Sequence, residues 1–85
     1  MKDFNRIKVV LAEKKISNKL LAEKLQKRDE TVSRWCNNKQ QPSIEELYNI
    51  SLFLDVDIRD LLNSTKWLSK GKEEIAKPRN DRIIM

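Results

Sequence analysis

The chain has 85 residues, 39% of them hydrophobic, a formal net charge of +5, one cysteine and no histidine. That length supports one small domain around a single core. No apolar run approaches the roughly 20 residues of a membrane span, and no signal-peptide pattern opens the chain. One cysteine without histidine excludes an internal disulfide and the usual zinc sets, so the totals predict a cytoplasmic protein with no metal and no cofactor.

The charge is unevenly spread. Residues 1–16, 17–39 and 66–85 each carry +3, whereas residues 40–65 hold Arg59 against Glu45, Glu46, Asp55, Asp57 and Asp60 and carry −4. Such a polarised domain can orient on a polyanion before docking. A solvated mixed-charge surface would look the same, so charge alone decides nothing.

With one Gly, two Pro and no period-2 alternation, the chain reads as all-α. Phe4, Ile7, Val10, Leu11 and Lys14 recur at helical spacing and predict a first helix over 4–14, with Asp3 as its N-cap. Ser17 is placed to cap a second helix over 18–25, whose Leu20, Leu21 and Leu25 face inward while small Ala22 lets a neighbour approach. Gln26, Lys27 and Arg28 form the turn. A third helix runs over about 29–37, anchored inward by Val32 and Trp35. Asn38 can take the left-handed conformation that ends a helix. After Pro42, the run Ser43-Ile44-Glu45-Glu46 reads as a capping box opening a fourth helix over 44–54 that buries Leu47, Ile50, Phe53 and Leu54. Asp57 opens a short fifth helix, 58–63, carrying Ile58, Leu61 and Leu62.

Residues 1–65 thus form one domain, and residues 66–85 a basic C-terminal tail. There Trp67, Leu68, Ile75 and the closing Ile83-Ile84-Met85 alternate with charges, Gly71 and Pro78. Two readings stand: a flexible basic extension, or an arm packing on a partner subunit. Trp67 would correspondingly pack on the domain's edge or anchor a dimer.

The runs LLAEKL, TVSRW, NNK, PSIEEL and ISLFLDVDIRDLL resemble the Cro and phage-repressor helix-turn-helix domain, also called the xenobiotic-response-element family, over about residues 4–63. The resemblance implies a compact five-helix repressor-like fold that binds operator DNA, usually as a dimer. Three residues depart from the family pattern. Gln26 replaces the usual turn Gly, at about 1–2 kcal/mol for a left-handed non-Gly residue. Lys27 replaces an apolar residue. Arg28 replaces the usual Ser or Thr cap, which predicts that Asp29 caps instead and that the third helix starts one residue later.

Carried across position by position, the resemblance implies base reading by Arg28, Asp29, Glu30 and Arg34, and Thr31 is near enough to offer its methyl to thymine or its hydroxyl to phosphate. The Arg34 fork suits guanine O6 and N7, worth about 1–3 kcal/mol of discrimination. An ion pair with Glu30 one turn earlier is its competing role. Glu30 could accept from cytosine N4, Asp29 could equally cap, and Ser33 is the weakest candidate on that face. Phosphate contacts are implied for Asn18 at the start of the second helix and for Asn37 and Lys39 after the third, with Lys19 and Gln40 as outer contacts beside them. Lys27 is a further outer contact. Leu21, Ala22, Leu25, Val32 and Trp35 support the motif from the core. Cys36 reads as a half-buried small side chain rather than a redox switch.

The sequence therefore predicts a sequence-specific DNA-binding transcriptional regulator, dimeric on an inverted-repeat site, with double-stranded DNA as its partner. The competing class is an antitoxin-like module that engages a protein partner through its tail. An enzyme is unsupported, with no histidine, no Gly-rich phosphate loop and no paired carboxylates in an apolar setting.

Overall fold

The structure, a computed structural model, describes residues 3–65. Four α-helices and a closing 3-10 turn follow in order: α1 (Ile7–Lys14), α2 (Asn18–Leu25), α3 (Asp29–Cys36), α4 (Ile44–Leu54) and the turn Ile58–Leu61. The architecture is all-helical, with one isolated antiparallel bridge between Asn5 and Leu62.

The core is one cluster drawn from every element. Ile7, Val10 and Leu11 come from α1, Leu21 and Ala22 from α2, Val32, Trp35 and Cys36 from α3, Leu47, Ile50 and Leu54 from α4, and Leu61 from the 3-10 turn. α2 packs on α3 and α4, α1 packs on α3 and the turn, and α4 packs on the turn. Burying twelve such side chains at about 25 cal/mol per Å² of apolar surface is the main force holding so small a domain together.

Local signals set most boundaries. Ser17 Oγ accepts from Leu20 N at 3.0 Å and starts α2. Ser43 and Glu46 close both bonds of the capping box, at 3.0 and 2.7 Å, and start α4. Lys15, Gln26, Asn38 and Asp55 all have φ near +60° just past helices α1 to α4. In the first, second and fourth cases the residue is the C-cap itself, its N–H folded back on the last carbonyls.

Four expectations are corrected. The fifth helix is a four-residue 3-10 turn, because Leu62 turns extended to meet Asn5. The first helix begins at Ile7, not at residue 4. Arg6 N donates to Leu61 O and Asn63 N to Phe4 O, which pairs residues 4–6 with residues 61–63 and leaves Phe4 58% exposed rather than inward. Asp3 therefore caps nothing; Asn5 Oδ1 accepts from Ile7 N instead. Leu20 is also 37% exposed rather than inward, since the buried line of α2 runs through Leu21 and Ala22 with Leu25 partly covered. Phe53 is partly buried against the core. The tail expectations, Trp67 included, lie outside the described residues.

Candidate nucleic-acid interface

α2, the turn Gln26–Arg28 and α3 form the motif. Gln26 takes φ 57°, ψ 45°, and its N–H and that of Lys27 fold back on Glu23 O and Ala22 O. This left-handed corner redirects the chain so that α3 packs against α2, with small Ala22 buried in the shared core. Arg28 holds the N-cap backbone of α3, extended at φ −75°, ψ 149°, but its side chain makes no capping bond. Asp29 is the first helical residue and does not cap, correcting the later start expected for this helix. Backbone geometry, rather than a side-chain acceptor, begins α3. Asp29 and Glu30 in its first turn complement the helix dipole.

Val32 is 0% and Trp35 1% exposed, and Cys36 joins them inside. Glu30, Ser33, Arg34 and Asn37 consequently share the opposite face. That face is internally paired. Arg34 Nη2 lies 3.0 Å from Glu30 Oε2, and Asn37 Nδ2 donates to Ser33 Oγ at 3.4 Å. The Arg34 side chain remains 52% exposed. One fork edge is thus engaged by a carboxylate while the side chain still faces water. The hydrogen bond from Arg34, and then its charge, hold the Glu30 carboxyl below the usual range. Thr31 and Ser33 are half-buried on either flank, and Arg28 and Asp29 are exposed at the helix start.

Asn18 and Lys19 are exposed at the start of α2. Ser17 occupies the N–H of Leu20. Asn18 Oδ1 accepts a weak bond from Cys36 Sγ at 3.5 Å, which ties the beginning of α2 to the end of α3. Burial pushes the Cys36 thiol pKa up, with Lys8 opposing weakly, so the sulfur is kept protonated rather than primed for oxidation.

Beyond α3, Asn37, Lys39 and Gln40 are exposed on one loop. Their backbone N–H groups all turn inward: Asn37 to Ser33 O, Lys39 and Gln40 to Arg34 O at 2.9 and 3.3 Å. Any anion meeting this loop would meet side chains. Lys27 forms an ion pair with Glu46 at 2.8 Å, which links the turn to α4, and its side chain stays 38% exposed.

The sequence reading overlooked Asn5, Gln41 and Asn63. Asn5 is 3% exposed, yet every polar atom of its side chain is bonded. A short-range signal existed: an Asn two residues before an apolar helix start can form an Asx turn. Its remote partners left no trace in local pattern.

A left-handed corner, a buried Val/Trp edge and an exposed polar helix face define a helix-turn-helix domain. A helix-turn-helix family profile matches residues 7–61, most of the chain, and the protein belongs to that Cro and phage-repressor-type family. Among solved structures it is similar to the crystal structure of a protein from Bacteroides fragilis described provisionally as DNA-binding. The two are 53% identical over 71% of this chain and 97% of the other, with a TM-score of 0.70. No curated protein matches.

Proposed function

We propose that this protein is a sequence-specific DNA-binding transcriptional regulator that presents α3 to the major groove and binds an inverted-repeat operator as a dimer. The observation that carries the reading is the two-sidedness of α3. Val32 and Trp35 are sealed in the core while Arg34 stands exposed on the far side, and a helix of this size fits the major groove. Family membership and the DNA-binding description of the Bacteroides fragilis protein support it.

In this reading Arg28, Asp29, Glu30, Thr31 and Arg34 meet base edges. Glu30 holds one edge of the Arg34 guanidinium, leaving the other free for guanine, and its own charge rejects a phosphate in the wrong register. Asn18 and Lys19 contact backbone phosphate on one side of the groove. Asn37, Lys39 and Gln40 do so on the other, through side chains because their backbone donors are spent on the end of α3.

A second reading, a module that engages a protein partner, draws support from α4. Ile44, Tyr48 and Leu52 stand 73%, 55% and 62% exposed at successive turns, an apolar stripe on a helix otherwise packed on the core. The two readings are separated by selecting bound sequences from a random duplex pool with the full chain. A palindromic consensus establishes regulator, symmetry and half-site spacing together. Recovery of unrelated sequences, with binding that falls steeply in salt, refutes the regulator reading.

A further inference from the structure

We infer that Asn5, acting through Asn38 and Gln41, is the positioning residue of the second phosphate clamp, the loop that carries Asn37, Lys39 and Gln40; the inference rests on the DNA-binding reading above. One amide serves two helix ends. Asn5 Oδ1 accepts from Ile7 N at the start of α1, and Asn5 Nδ2 donates to Trp35 O at the end of α3, both at 3.0 Å. The same Nδ2 donates to Gln41 Oε1 at 2.7 Å, and Gln41 Nε2 in turn donates to Asn38 Oδ1 at 3.1 Å. Asn38 closes the circuit on the Asn5 backbone, accepting from its N–H and donating to its carbonyl, each at 3.0 Å.

The circuit brackets Lys39 and Gln40 on both sides, at residues 38 and 41. It is anchored at Asn5, a buried residue of the segment before α1, which also pairs with the segment after the 3-10 turn through Leu62 and Asn63. Asn38 itself sits at φ 57°, a conformation that its side-chain bonds help to hold. Gln41 is exposed and Asn38 only half-buried, so these bonds add modestly to folding. Their larger effect is to fix the loop backbone before DNA arrives. A lysine ammonium on a flexible stem loses less freedom on binding when its Cα is already placed.

The test is a double-mutant cycle in the full chain, read as affinity for a short random-sequence duplex at fixed salt. Its arms are Lys39→Ala, the pair Asn38→Gly with Gln41→Ala, and all three together. Glycine keeps the left-handed backbone at 38, and an unchanged helical circular-dichroism signal with a cooperative thermal transition reports that the fold survives. Asn5→Ala serves as a second probe of the circuit wherever it folds. Lys39→Ala is expected to weaken binding several-fold in the parent and markedly less in the circuit variant, since an unplaced lysine has less to lose. Costs that simply multiply, or a circuit variant that binds as tightly as the parent, overturn the inference while leaving the DNA-binding reading intact. A parent that binds no duplex at all overturns both.

Discussion

Glu46 and Arg34 sit on the same small domain, yet their ion pairs do different work. Glu46 accepts from Ser43 N with one oxygen and meets Lys27 with the other, joining the motif's turn to α4. The Lys27 bond, then the Ser43 backbone bond, hold its carboxyl below the usual glutamate range. A depressed folded pKa stabilises the protein above the ordinary glutamate value, and this is lost as pH falls through the lower folded value. Glu46→Gln keeps an acceptor for the capping box and removes the charge together with the Lys27 bond, because an amide nitrogen cannot accept from an ammonium. Its melting temperature should lie slightly below the parent's at neutral pH, with the gap closing on acidification; a gap that persists in acid would show that the charge is not responsible. Arg34, by contrast, is paired on an exposed face where an ion pair adds little to stability. Arg34→Ala should leave the melting temperature nearly unchanged. It should erase preference at one position per half-site, worth about 1–3 kcal/mol, as read by repeating the sequence selection.

At the scale of elements, α3 is held at its two ends by unequal means. Its N-cap residue, Arg28, offers no side-chain acceptor, whereas Ser17 and Ser43 do so for α2 and α4. Arg28→Ser should therefore raise stability by about 0.5–1 kcal/mol, measured as a shift in the urea midpoint. If Arg28 also reads a base, the same variant binds DNA less selectively, and stability and recognition move in opposite directions. The turn before it carries a similar burden. Gln26→Gly should relieve the left-handed strain, offset in part by a freer unfolded chain, for a net gain of up to about 1 kcal/mol. These local devices explain what was legible in the sequence. The bounds of α2 and α4, the capping box, the Gln26 corner and the Val32–Trp35 anchor all depend on residues within a few positions of one another. The non-helical segment 4–6 was not legible, because what draws Phe4 and Asn5 out of a helix lies about 30 to 60 residues away, at Trp35, Asn38 and Asn63. The pairing of Glu30 with Arg34 was foreseeable from i,i+4 spacing; the pairing of Lys27 with Glu46 required the tertiary fold.

On the scale of the whole molecule, charge and symmetry meet in one measurement. The first 39 residues carry +6 and contain every proposed clamp residue except Gln40, while residues 40–65 carry −4 and include α4. A duplex approaching the acidic side is repelled, so the basic half is steered toward it, with the effect weakening as salt shortens the screening length. Each phosphate neutralised releases counterions, and the logarithm of the binding constant falls with the logarithm of salt by about 0.9 per contact. Lys39→Ala removes one such contact per subunit. A monomer on its site should thus lose about 0.9 from the slope, and a symmetric dimer about 1.8, because the missing lysine is missing twice. Titrating the selected operator over a range of salt with parent and variant distinguishes the two. An unchanged slope would show that Lys39 touches no phosphate. A change near 0.9 would show one subunit engaged, and the inverted repeat would lose its physical basis even if Arg34 proved to be the reader.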